Sequence, residues 1–543
     1  MDGSVSHPNA DTVVGASPGD NGTLVIENGA FLSNRDGMIG NTGGSEGTVL
    51  VNGSWINLGN LIVGGSGKGT LVIEKGGFVS ASTITMGFGA GSEGNVTVGG
   101  TLSVGSITMA TNGISSLTIE EGGYVSATQL SSSGLADSAA TVTVKGSLSS
   151  VGISLGSQSG DSLIIEDGAF VGVGLNFMYL GAASESWSTV TVGGTLSVNS
   201  HMGIGVNGAG SLTIEQGGYA TVDDTVSLAA TPDSSGTANV HGTFLITSSL
   251  TIGAQGKGVV NIEDGGILSA ESVHLGQGSN SSGNLNLNAG GTLETTSIVQ
   301  NSGTHTLNLN GGTLRAAGHN ANFFVNFDTI LLNGSGVIFD TNGFNVGVST
   351  HLTGTGGLTK SGSGTLTLSG SNVYEGDTVV LSGTLVVNGS VSHPDADTVV
   401  GLFDGDDGTL VIAAGAMLTD RYGIIGVDPE ARGTVLVSGS WHNEFGLAVG
   451  YEGSGTLVVE EDGSATSSMQ IFLGYEAGSS GTAIVRGSLS ADDMILIGYE
   501  GNGDARFGGR LVCPEYRDGE RNVLHARLSK GEDAHKQGKE AVS

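Results

Sequence analysis

Short apolar runs with strict alternation dominate the chain. In Thr23-Leu24-Val25-Ile26-Glu27-Asn28-Gly29 a polar residue opens the run, two inward apolar positions alternate with outward ones, and a Gly turn closes it. The run returns as Thr70-Leu71-Val72-Ile73-Glu74, Ser116-Leu117-Thr118-Ile119-Glu120, Leu163-Ile164-Ile165-Glu166, Ser211-Leu212-Thr213-Ile214-Glu215 and Val260-Asn261-Ile262-Glu263. A second set lies between: Val49-Leu50-Val51-Asn52-Gly53, Val96-Thr97-Val98-Gly99-Gly100, Val142-Thr143-Val144-Lys145-Gly146, Val190-Thr191-Val192-Gly193-Gly194 and Ala238-Asn239-Val240-His241-Gly242. From Leu24 the first inward residues advance by 25, 22, 25, 21, 25 and 21. No window carries an apolar stripe at helical spacing, so the chain reads as all-β.

Each half-period holds three short β runs. In residues 70–95 these are Thr70–Glu74, Phe78–Ala81 and Thr83–Met86, with a Lys-Gly-Gly corner after the first and a Gly/Ser loop (Gly87–Gly94) after the third. Three strands and three corners in 21–27 residues predict one coil of a parallel β-helix (a solenoid). An antiparallel meander would need a reversing hairpin at each Gly pair, and strands this short would form a poorly covered sheet. Leu and Ile are expected in the core. Glu27, Glu74, Glu120 and Glu166 are expected on a solvated corner of alternate coils, ~9.6 Å apart, which relieves like-charge stacking.

The rhythm loosens after Leu285-Asn286-Leu287 and Leu307-Asn308-Leu309. Phe323, Phe324, Phe327 and Phe339 then predict an irregular coil with a larger core. Ser4-Val5-Ser6-His7-Pro8 returns as Ser390-Val391-Ser392-His393-Pro394, and the offset of 386 persists at Trp55/Trp441 and Thr70/Thr456. A whole block is therefore duplicated. The expected organisation is β-helix repeats over 1–353, irregular from about 310, a distinct repeat at 354–390, a second, truncated copy of the first block at 391–503 and an atypical basic tail at 504–543, read as disordered or frameshift-derived. Eight of the eighteen Lys and Arg, from Arg506 to Lys539, lie in that tail.

Composition narrows the function. The net charge is −33, and no basic patch precedes residue 504, so a nucleic-acid or anionic-membrane partner is not expected. High negative charge favours solubility. Cys513 is the single cysteine, so the body has no disulfide framework. No apolar run reaches the ~18 residues of a membrane helix. Met1-Asp2-Gly3-Ser4 has no signal-peptide pattern, and Met1 falls in the register of Val387, inside a strand.

Residues 354–390 carry the specific motif: Gly354, Gly356, Leu358, Lys360, Gly362, Gly364, Leu366, Leu368, Gly370, Asn372, Tyr374, Gly376, Thr378, Val380, Gly383 and Leu385. In this order they resemble the autotransporter-associated β-strand repeat of bacterial type V secreted passengers. The resemblance implies a right-handed parallel β-helix stalk of about twenty three-stranded coils, on the order of 100 Å long at ~4.8 Å per coil. It implies display at a Gram-negative cell surface and a role for the motif in transport or folding of the passenger. An intact member carries a covalent C-terminal translocator barrel; long barrel strands are absent from this sequence, which reads as truncated.

No catalytic, cofactor or metal site is expected. Gly160-Asp161-Ser162 faintly resembles a nucleophile turn, but Ser162 opens a core strand and no paired His and Asp are recognisable. His7 and His393 read as turn residues, since zinc needs three or four convergent donors. Asp404, Asp406 and Asp407 read as a solvated corner, not a calcium loop. The expected function is a structural, surface-exposed stalk that supports display and contact with host or bacterial surface ligands. Two alternatives stand beside it: a β-helix polysaccharide-degrading enzyme, and a gene fragment without function.

Overall fold

The computed structural model describes residues 3–134, 138–156 and 160–512. Every regular element among them is a β-strand. The strands stack in parallel coil upon coil, so the all-β solenoid reading holds. Glu46–Val51 pairs in parallel with Lys68–Ile73, which sets Val49 beside Leu71 and Val51 beside Ile73. Glu93–Val98 then continues the ladder, with Val96 on Leu71 and Val98 on Ile73.

Inward positions are sealed. Leu71, Ile73, Val49 and Val51 are fully buried, while Glu74 at the following corner is exposed. Each such Leu or Ile contributes roughly 1.5–3 kcal/mol by leaving water. The acidic corner column gains partners where a basic residue falls on the intervening coil. Lys145 Nζ lies 3.4 Å from Glu120, and Arg486 pairs with Glu460 at 2.9 Å. These pairs are half-exposed and worth little each.

The second and third runs of a coil fuse in several places. Phe78–Met86 is one nine-residue strand, yet its inward alternation breaks at Ser82 and resumes at Ile84. A bend within a continuous ladder replaces the corner read from sequence. In the second block Met417–Ile425 behaves alike, with a register shift between Asp420 and Tyr422. Tight corners need glycine where chains cross closely. Gly64 sits at φ +73°, and a Cβ there would lie 2.2 Å from the carbonyl oxygen of Glu93 on the next coil.

The chain forms two compact units. The first is Met1–Asn286 with Gly290–Thr292 and Val299–Thr306; the second is Leu287–Ala289 and Leu293–Ile298 with Leu307–Ser543. The division falls where the sequence rhythm loosens. In the second unit, eight first-position strands from Asn345–Val348 to Asn502–Phe507 form one sheet. Phe323, Phe324, Phe327 and Phe339 are buried in that unit and pack edge to face, with Phe323 and Phe339 5.0 Å apart between ring centres.

The ladder runs past Gly503, where the sequence repeat stops. Asn502–Phe507 pairs with Ser480–Val485, and Arg510–Val512 with the strand from Ser488. Backbone pairing therefore continues to Val512, but the inward alternation is lost: Phe507 is exposed although its partner Val485 is buried. Cys513 and the basic residues from Arg517 to Lys539 lie outside the described residues.

Candidate functional site at the transport repeat

The motif occupies five consecutive strands of the second unit: Leu358–Ser361, Thr365–Leu368, Ser371–Tyr374, Thr378–Val380 and Ser382–Val387. Leu358, Leu366, Leu368, Val380 and Leu385 are its apolar core, each at most 1% exposed. Leu366 stacks on Val346 of the preceding coil and Leu385 of the next. The glycines sit where coils approach. Gly362 and Gly383 have φ of +75° and +65°. Gly356, Gly364, Gly370 and Gly376 each press against backbone of the preceding coil.

Lys360 is the least expected member. Leu358 and Lys360 share one face of their strand, so the sequence parity already points the ammonium inward. The side chain is completely buried. Its Nζ donates to the carbonyls of Ser361, Gly362 and Ser382 at 2.8, 2.7 and 2.8 Å. An ammonium has three protons, and each finds one oxygen. Two of these carbonyls belong to the corner after its own strand and one to the next coil, so Lys360 ties two coils together. Burial pulls its pKa down to about 8, and the charge of Asp340 opposes the fall.

Asn372 plays the same part at another corner. Its Nδ2 donates to Gly370 O and Ser390 O, and its Oδ1 accepts from Leu352 N at 3.1 Å. Three successive coils are thus joined by one amide.

Tyr374 and Thr378 form the third link. The Tyr374 hydroxyl meets Thr378 Oγ1, which lies 2.9 Å from His393 Nε2. The Tyr374 and His393 rings stack with centres 5.5 Å apart. Burial raises the pKa of the Tyr374 phenol and lowers that of His393. Sequence reading left His393 as a lone turn residue, like His7. The coil before His393 supplies Tyr374 and Thr378; the half-buried His7 contacts Ala10 O at 3.4 Å.

The remaining candidates are structural acceptors. Asp161 is buried and takes bonds from Ser132 Oγ, Ala140 N and Gly156 N, while Ser162 Oγ lies 3.4 Å from Thr141 Oγ1. Asp406 accepts from Phe403 N, and Asp404 from Glu430 N. Asp20, the counterpart of Asp406, accepts from Ser17 N in the same turn. Among the described residues no three His, Cys, Asp or Glu gather as a metal cluster, and no helix is long and apolar enough to cross a membrane.

A family model described as passenger-associated-transport-repeat matches residues 358–387. Fourteen of the sixteen motif residues fall inside that span; Gly354 and Gly356 precede it. No curated protein matches the chain. A solved structure titled as a crystal structure of a TibC-catalysed hyper-glycosylated TibA55-350 fragment is similar at 14% identity, over 96% of this chain and 98% of that one. Its TM-score is 0.15, so it serves as a likeness alone. The family match thus identifies residues 358–387 as a passenger-associated-transport-repeat, carried on a parallel β-solenoid, and it supports reading the chain as an autotransporter passenger region.

Proposed function

We propose that this passenger region is a non-catalytic stalk whose outward faces make adhesive contact with ligands on host or neighbouring cells. The observation that carries the reading is a column of outward aromatics in the first unit, three of them exposed and Phe78 half-buried. Phe78, Tyr124, Phe170 and Tyr219 occupy the same outward position on alternate coils. Thr101, Ser147 and Thr195 stand between them. Tyr124, Phe170 and Tyr219 are 43%, 42% and 40% exposed. At two coils each the rings recur every ~9.6 Å. Exposed aromatics in a regular row are unusual on a surface that only needs to stay soluble, and they favour contact. The enzymatic alternative needs acids gathered with a base or Arg in a cleft, and the acids located above are spent on turns and corners. The family match at residues 358–387 supports display at the cell surface, with a translocator barrel in intact members.

The test replaces Tyr124, Phe170 and Tyr219 by Ser and measures adherence of cells or beads displaying the protein to epithelial and bacterial surfaces. Outward positions leave the core intact, so unchanged circular dichroism with several-fold weaker adherence is expected. Full adherence by the triple variant would sink the contact reading. Glycan cleavage by the wild-type chain would favour the enzyme.

A further inference from the structure

The two copies of the duplicated block differ at a buried polar position. Residue 34 is Asn, and its counterpart is Asp420. The surroundings match: Trp55 and Trp441, Asn57 and Asn443, Gly37 and Gly423, Thr12 and Thr398 occupy equivalent places.

In the first copy an amide links two adjacent coils. Trp55 Nε1 donates to Asn34 Oδ1, and Asn34 Nδ2 donates to Asn57 Oδ1 at 2.7 Å. In the second copy Trp441 Nε1 donates to Asp420 Oδ2 at 2.7 Å. Asp420 Oδ1 and Asn443 Oδ1 are then both buried without a partner. Yet Asp420 and Asn443 are register partners on adjacent strands, and both residues are 0% exposed.

Asn443 is held in the same orientation as Asn57. Its Nδ2 donates to Thr466 O, as Asn57 Nδ2 does to Ser80 O. Its Oδ1 lies against Gly423 as Asn57 Oδ1 lies against Gly37. An oxygen thus awaits a donor from residue 420, and an ionised carboxylate has none to give. Two buried acceptors without a donor, on register partners, are costly. A single proton resolves the conflict: O–H on Oδ1 takes the place of the amide N–H, and Oδ2 stays the carbonyl that Trp441 needs. Thr398, which faces Asp420 and whose Oγ1 is also without a partner, keeps a lone pair on Oδ1 to donate to.

We propose that Asp420 is kept as a neutral carboxylic acid whose Oδ1 proton is donated to Asn443 Oδ1, so that the second block is locked by a titratable proton where the first is locked by a permanent amide.

Apart from the Thr398 hydroxyl, whose donor goes to Asp420 Oδ1, the neighbours supply no competing proton. His393 is the register partner on the other side, and its two ring nitrogens are engaged by Thr378 Oγ1 and Ala396 O. Asp397, beside Thr398, is paired with Arg421 at 2.9 Å, and Asp377 accepts from Asp397 N. His442 and Glu444, from the strand of Asn443, pair with each other near the surface. Burial pushes the Asp420 carboxyl up to about 7; the Trp441 bond and the nearby Thr398 hydroxyl pull it down, and the charge of Asp397 adds to the rise. The folded value lies above the ordinary 3.8, so the lock is complete below 3.8, weakens as pH rises, and is lost above about 7.

Hydrogen exchange of the full chain tests this, read in strands Met417–Ile425 and Ser440–Val449 for wild type and Asp420→Asn. His393 is common to both proteins, so their ratio isolates Asp420. The protection of D420N over wild type is expected to grow about tenfold per pH unit from pH 5 to about 7 and to level off above. The converse variant Asn34→Asp should create the same pH-dependent loss in strands Phe31–Asn34 and Ser54–Asn57. A ratio independent of pH for D420N, or loss without pH dependence in N34D, overturns the proposal.

Discussion

Thr378 Oγ1 lies 2.9 Å from His393 Nε2, and this contact sets the direction of a buried hydrogen-bond chain. His393 Nδ1 faces the carbonyl of Ala396 at 3.2 Å, so Nδ1 carries the proton and Nε2 accepts. Thr378 must therefore donate to His393, and the Tyr374 hydroxyl must donate to Thr378. Thr378→Val keeps the shape and removes the relay. It leaves a phenol and an imidazole nitrogen buried without partners, at a cost of about 1–3 kcal/mol. Thr378→Ser should cost less than Val. Exchange protection in Ser371–Tyr374 and Ser390–His393 reads both variants. Equal protection for Val and wild type would show that the hydroxyl carries no weight.

The same histidine predicts an acid-sensitive coil. Burial lowers its pKa from 6.5, with smaller opposing contributions from Ala396 and nearby carboxylates. The unfolded chain then binds the extra proton first, so stability from this group is complete above 6.5 and is lost as pH falls below it. Between pH 7 and 5 the protection of Ser390–His393 should fall in wild type relative to His393→Gln. Asp420 is present in both and cancels. A wild-type to variant ratio that stays constant over that range would refute the assignment.

Lys360 is predicted to be structural in a way charge alone does not explain. Lys360→Met matches its length and apolar stem but removes a donor from the carbonyls of Gly362 and Ser382, and from that of Ser361, which keeps Thr341 N and Oγ1. Each orphaned acceptor costs on the order of 1–3 kcal/mol, partly offset because no charge need be buried. The net expectation is destabilisation of the second unit by about 1–3 kcal/mol, measured by denaturant melting or local exchange. A Met variant as stable as wild type would mean that the carbonyls find water or other donors.

Much of this was legible because solenoid signals are local. Leu71 and Ile73 declare their inward face by alternation, and the return of Trp55 at Trp441 declares the duplicated block. Lys360 was legible as part of a motif, and its parity with Leu358 could have placed it inside. His393 was not legible, since its partners come from the preceding coil, fifteen and nineteen residues back, and its own His-Pro turn gives no sign of them. Asp420 was hidden differently. Asn-to-Asp reads as a small change until Asn443 and Trp441 are seen to occupy the same buried places as Asn57 and Trp55. Backbone pairing runs past Gly503 because it needs only extended chain beside an open ladder. Composition changes there before the coil ends.

Glycine in the transport repeat offers a test of packing free of charge. A Cβ at Gly356 would lie 1.9 Å from the carbonyl oxygen of Asn333 and 2.6 Å from Gly336. That oxygen is fixed in a turn, accepting from Gly336 N, so it cannot yield without breaking the turn. Gly334, in the same turn, would meet Thr355 Oγ1 at 4.0 Å, which is open space by comparison. Neither residue has a positive φ, so the contrast isolates steric contact from backbone strain. Gly356→Ala should cost about 1–3 kcal/mol through forced separation of the coils. Gly334→Ala should be close to neutral. If the coils are the unit of transport competence, G356A should also lower the yield of folded passenger on refolding, while G334A should not. Equal stability of the two variants would show that the coils can separate at Gly356 without penalty, and the close approach would lose its claim as the reason for glycine there.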